Sequence, residues 1–164
     1  MIKAFIVGIL GIFVLLSFQF RNYLEPLAVM SAIPLALVGV IWGHYIMGLD
    51  ISMVSLMGLI SLTGVVINDS ILLVTFIKLH LRGGENPAEA AKKASRLRFR
   101  AILLTSLTTI MGLLPLLMEK SLQAQVLIPL VTSIVFGMLA STVLVLLVVP
   151  VLYAILGDLD KIHF

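Results

Sequence analysis

Charge is scarce in this chain, and cysteine is missing altogether. Only 12% of the 164 residues are Asp, Glu, Lys or Arg, whereas a soluble globular domain carries roughly 25%. That is too little charge to solvate a surface, so a soluble domain is excluded and a polytopic membrane protein is the class. Without cysteine there is no disulfide and no thiolate metal site, and the redox compartment leaves no trace. Three scattered histidines, His44, His80 and His163, lack the spacing of metal ligands, so no metal centre and no cofactor is expected. The chain also has no nucleophile–base–orienter arrangement, no Gly-rich loop opening a soluble domain and no carboxylate pair for hydrolysis. An enzyme in the usual sense is therefore not expected.

What is present is apolar. Hydrophobic residues make up 61% of the chain and the mean hydropathy is +1.22. A hydrocarbon core of about 30 Å needs about 20 helical residues, and five runs qualify: 2–20, 27–47, 52–79, 101–118 and 124–156. The first resembles a signal peptide, with Lys3 ahead of an apolar stretch. Ser17-Phe18-Gln19 is no cleavage site, however, and the run reads as a mature helix. Arg21 to Pro26 forms a short polar turn with Pro26 at the start of the second helix, inside which Pro34 and Gly39 fall. Gly48-Leu49-Asp50 turns the chain again, with Asp50 or Ser52 as N-cap of the third helix. Residues 80–100 connect the third and fourth spans, and 88–99, rich in Ala, Lys and Arg, reads as a short interfacial helix after Pro87. The expected fold is all-α, a single transmembrane domain over 1–164 with five membrane helices and that interfacial helix. The fifth run exceeds what a bilayer needs and must tilt, kink or protrude.

The net charge of +3 and pI near 9.5 do not point to nucleic acid, because the basic residues gather in one connection between spans. With that connection cytoplasmic, Arg21, Lys78, Arg82, Lys92, Lys93, Arg96, Arg98, Arg100 and Lys161 lie inside, against Lys3 and Lys120 outside. Such a bias fixes orientation, with the N-terminus periplasmic and the C-terminus cytoplasmic. An external start is easiest to understand if the chain is the tail of a longer one.

The informative stretch is Gly64-Val65-Val66-Ile67-Asn68-Asp69-Ser70-Ile71. An ionised Asp in the middle of a span costs roughly 3 kcal/mol on insertion scales, so such residues face a protein interior or wet cavity. Low dielectric disfavours the charged form of an acid, which makes Asp69 the candidate to take up and release protons. The structural alternative is a permanently protonated Asp that hydrogen-bonds across helices. Ser55, Gly58, Ser61, Asn68 and Thr75 recur at spacings of three and seven, and read as a small, polar stripe for helix packing. Thr105, Ser106, Thr108 and Thr109 open the fourth span; they could relay a proton or simply bond their own backbone. Arg98 and Arg100 are expected to snorkel at the cytoplasmic interface. His44 is expected at the outer interface, Trp42 in the aromatic belt, and Met53, Met57, Met111 and Met118 in packing.

Together with Arg96-Leu97-Arg98-Phe99-Arg100-Ala101-Ile102-Leu103-Leu104-Thr105-Ser106, the Asn68-Asp69 stretch resembles the resistance–nodulation–division (RND) permeases. The likeness is to the acriflavine-resistance-type, hydrophobe/amphiphile efflux branch, and it spans essentially the whole chain as helices eight to twelve of a twelve-helix permease. The resemblance implies a bacterial inner-membrane homotrimer that exports drugs, detergents or metal ions on inward proton flow. It also implies, as partners, the remainder of the permease, a periplasmic adaptor and an outer-membrane channel, all in a lipid bilayer. The family's lysine position falls on Asn68, the next residue on Asp69, its relay threonine on Thr105 and its cytoplasmic-side arginine on Arg98. The lysine is thus replaced here, and an acid stands one place further on. Other RND branches, with lipid, protein or metal cargo, and a non-transporting membrane scaffold are the competing readings.

Overall fold

A computed structural model describes residues 1–158; Lys161 and His163 lie outside the described residues. Among the described residues the secondary structure is helical: α1 (Ile2–Phe20), α2 (Leu24–Met30), α3 (Ala32–Met47), α4 (Met53–Arg82), α5 (Pro87–Met118) and α6 (Leu122–Asp158). With α2 and α3 taken as one broken span, five segments are long and apolar enough to cross a membrane. The all-α expectation holds, and the chain is a multi-pass membrane protein.

Two boundaries differ from those read in the sequence. The second span begins at Leu24 and breaks at Ser31. Pro34 explains the break: it lacks an N–H and its ring crowds the carbonyl four residues back, at Met30. Pro26 sits in the first turn of α2, where backbone N–H groups have no intrahelical partner to lose. The expected interfacial helix over 88–99 is not a separate piece. It runs without interruption into the fourth span as α5. The change from charged to apolar composition at Arg100–Ala101 marks a change of surroundings, while Ala, Lys, Arg and Leu continue as good helix formers.

α6 is the axis of the bundle and packs against α3, α4 and α5. Small residues allow this closeness. A Cβ added at Gly58 of α4 would stand 2.6 Å from the Leu130 carbonyl oxygen, and one at Gly137 of α6 would strike Leu62. Gly39 and Gly43 of α3 lie against Ala140 and Phe136 of α6 in the same way, in keeping with small residues at membrane helix interfaces. Pro150 inside α6 frees the Leu146 carbonyl, and the Ser95 hydroxyl of α5 donates to that oxygen at 3.1 Å, so a neighbouring helix restores the lost bond.

The start of α4 is pinned by a reciprocal cap. Ser55 N–H donates to Ser52 Oγ and Ser52 N–H to Ser55 Oγ, each at 3.2 Å, so Ser52 and not Asp50 is the N-cap. Gly48 closes α3 in the left-handed region at φ 65°, where a side chain is disfavoured. Met53, Met57, Met111 and Met118 are exposed, so they do not serve as packing residues within this bundle. Trp42 is exposed too, edge-on to Tyr45 at 6.1 Å.

Candidate functional site

Asp69 is half-buried where α4, α5 and α6 meet. Its side chain borders a cleft of about 10 Å³ lined also by Val66, Ile102, Ser141, Thr142 and Val145. That is the lower limit for holding one water molecule. The position follows from helical phase. At 100° per residue, Asp69 returns to the side of α4 that carries Ser55, the side turned to α6.

Asn68, one residue earlier, is exposed, and so are Ser61 and Thr75. The stripe expected from Ser55 to Thr75 is therefore two surfaces. Each step of three residues falls 60° short of a full turn, so Ser55 and Gly58 are buried against α6 while Ser61, Asn68 and Thr75 wind to the open face. Asn68 and Asp69 do not share a seam within this chain.

Arg98 departs from the snorkelling position. It is half-buried, its guanidinium lies 4.4 Å from the centre of the Phe76 ring of α4, and it is the positive charge that acts on Asp69. The two do not approach to ion-pair distance among the described residues. The Arg98 Nε is buried without a hydrogen-bond partner among the described residues. Arg100 is exposed.

Thr105 is exposed on α5 and donates to its own backbone at Ala101 O, 2.9 Å away. Thr108 and Thr109 do likewise, to Leu104 and Thr105. Of the four hydroxyls only Ser106 leaves its helix, sharing a buried hydrogen bond with Thr142 of α6 at 2.5 Å. The structure thus brings Asp69 under the field of Arg98, and leaves Asn68 and Thr105 on open surface.

Two buried polar groups escaped the sequence reading. Glu25, assigned to a polar turn, is 1% exposed and accepts both oxygens' worth of bonds from Lys78 of α4, at 2.9 and 3.2 Å. The Tyr153 side chain of α6 faces the same carboxylate, and the Lys78 ammonium lies 5.2 Å from the Phe20 ring centre. Four elements are tied by this one ion pair. The available signal was Lys78 itself, a cation inside the apolar run 52–79 that demands a partner.

His44 is buried rather than interfacial, at 2% exposure. Its Nδ1 lies 2.9 Å from Val40 O and its Nε2 2.7 Å from Ser55 Oγ. A carbonyl oxygen only accepts, so Nδ1 carries the proton and the Ser55 hydroxyl donates to Nε2. The Ser133 hydroxyl of α6 adds a bond to Ser55 O at 2.9 Å. The pocket around Ser55 explains the burial: Gly43 lets α6 close over this end of α3.

A family profile described as the AcrB/AcrD/AcrF family matches residues 1–157. The chain belongs to that family. It is thereby placed among the RND efflux transporters, as the two motifs imply. Among solved structures, an AcrB/AcrD/AcrF chain of this kind is similar to a heavy metal efflux pump known from its X-ray crystal structure. The TM-score is 0.80 at 26% identity, covering 93% of this chain and 15% of that pump. The chain thus spans about 15% of the length of the pump it matches.

Proposed function

We propose that this chain is the transmembrane half, helices eight to twelve, of a proton-driven RND exporter in the bacterial inner membrane, with Asp69 as the proton-carrying group. The observation that carries this reading is the position of Asp69: an acid at mid-span, in a cleft with room for about one water, within the field of Arg98. An ionisable group kept at such depth is a functional group by default.

Asn68 and Thr105 fit the same scheme from the open face. Their side chains belong to the seam where the rest of the permease docks, and there they complete the relay with groups outside this chain. The whole transporter is read as a homotrimer working with a periplasmic adaptor and an outer-membrane channel. Its termini are read as periplasmic (N) and cytoplasmic (C), from the basic residues of 78–100.

For cargo, drugs and other amphiphiles follow from the acriflavine-type motif likeness. A second reading, metal-ion cargo, is favoured by the likeness to a heavy metal efflux pump and shares the same helices and proton cycle. Asp69→Asn in the assembled permease is expected to reduce proton-coupled export to background with the assembly intact, measured as substrate efflux against an imposed pH gradient. Wild-type efflux in that variant would remove Asp69 from the mechanism. Thr105→Ala should give a partial loss, and full activity there would leave Thr105 as a packing residue.

A further inference from the structure

A groove of about 400 Å³ runs along the outside of the bundle between α5 and α6, away from the Asn68–Thr105 face. Ser95, Arg96, Phe99 and Leu103 form one wall, and Thr142, Val143, Leu146 and Leu147 the other. Its two hydroxyls are already committed. Ser95 donates to the Leu146 carbonyl that Pro150 leaves free, and Thr142 is bonded to Ser106. Apart from Arg96 at one end, no polar group in the groove asks for a partner, so an apolar occupant is called for along its length.

The groove's charge sits at one end only. Arg96 is exposed and forms no ion pair among the described residues. Lys92 and Arg100, one helical turn before and after it, extend a basic edge along the same exposed side of α5. Depth agrees with this layout. Ser95 is level with Leu146, at the end of the bundle where the basic residues gather, and Leu103 lies eight residues, about 12 Å, deeper into the apolar zone. A slot of hydrocarbon walls closed by a cation at headgroup depth is complementary to an amphiphile with a negative head.

We infer that the α5–α6 groove is a binding site for an anionic phospholipid of the surrounding bilayer, with an acyl chain between Phe99, Leu103, Val143 and Leu147 and the phosphate on Arg96. The alternative occupant, another membrane helix, is disfavoured by the walls themselves. The interfaces of α6 with α3 and α4 are built on Gly39, Gly43, Gly58 and Gly137, whereas the groove walls carry the bulky side chains of Phe99, Leu103, Leu146 and Leu147 and no glycine. Basic pockets between membrane helices on the positively charged side are known to select acidic headgroups.

The test uses the full-length protein purified in dodecyl maltoside and reconstituted in nanodiscs of dioleoylphosphatidylglycerol and dioleoylphosphatidylcholine in equal amounts. Native mass spectrometry then counts the lipid retained. Wild type should retain phosphatidylglycerol over phosphatidylcholine, and Arg96→Gln should lower that preference about fivefold while Arg96→Lys keeps most of it. Val143→Trp, which fills the groove from its exposed rim, should lower retention of both lipids with the thermal midpoint unchanged. Equal retention of the two lipids by wild type, or an undiminished preference in Arg96→Gln, overturns the site. A photo-crosslinker at Val143 that labels a polypeptide segment instead of lipid overturns it as well, and assigns the groove to a helix.

Discussion

α1 and α6 are both apolar enough to cross a bilayer, yet 6% of the apolar window of α1 is buried against 50% of that of α6. Their sequences differ less in apolar character than in what interrupts it. α6 carries Ser133, Gly137, Ser141 and Thr142 where α3, α4 and α5 press on it, and each is buried. α1 has Gly8 and Gly11, and a Cβ on either meets nothing within 4 Å. In lipid the hydrocarbon surroundings are as apolar as leucine, so apolarity inserts a helix without docking it. Small side chains and hydroxyls decide which helices meet. α1 is held instead at its end, where Leu16 and Phe20 join the core and the Phe20 ring lies beside Lys78.

That contrast can be broken most forcefully at the ion pair. Lys78→Met leaves Glu25 charged, buried and unpaired, which costs about 3–5 kcal/mol; a large drop in the thermal unfolding midpoint in detergent checks it. Glu25→Gln combined with Lys78→Met should recover most of the loss, since the uncompensated charge is gone. Next in size is Gly58→Val. Its side chain enters the space held by the Leu130 carbonyl and Ser133, and overpacking of this kind costs about 1–3 kcal/mol, read from the same midpoint. The smallest effect belongs to α1. Gly11→Ala should be neutral or stabilising by up to about 1 kcal/mol, as Ala replaces Gly in an open helix. A marked destabilisation there would show that something packs on α1 in the assembled protein, and would erase the contrast with α6.

The five spans, the Ser52 cap and the lone mid-span acid were legible because each depends on local composition and helix chemistry. Facing was not. Whether Asn68 or Asp69 looks inward depends on 100° of helical phase and on which neighbours exist, and both lie beyond a count of spacings. The stripe through Ser55 and Thr75 failed for that reason, since successive steps of three drift around α4. The Glu25–Lys78 pair joins residues 53 apart in sequence, and only the docking of α2 on α4 brings them together. Arg98 was read as a surface anchor because long cations near helix ends usually are; its guanidinium lies instead over the Phe76 ring of α4.

Thr142 lines both the cleft of Asp69 and the outward groove of α5 and α6. Its bond to Ser106 therefore stands between the two, one hydroxyl pair thick, with the Asp69 side chain on one side and the outward groove on the other. Anything that parts those two hydroxyls would join the inner cleft to the outer groove.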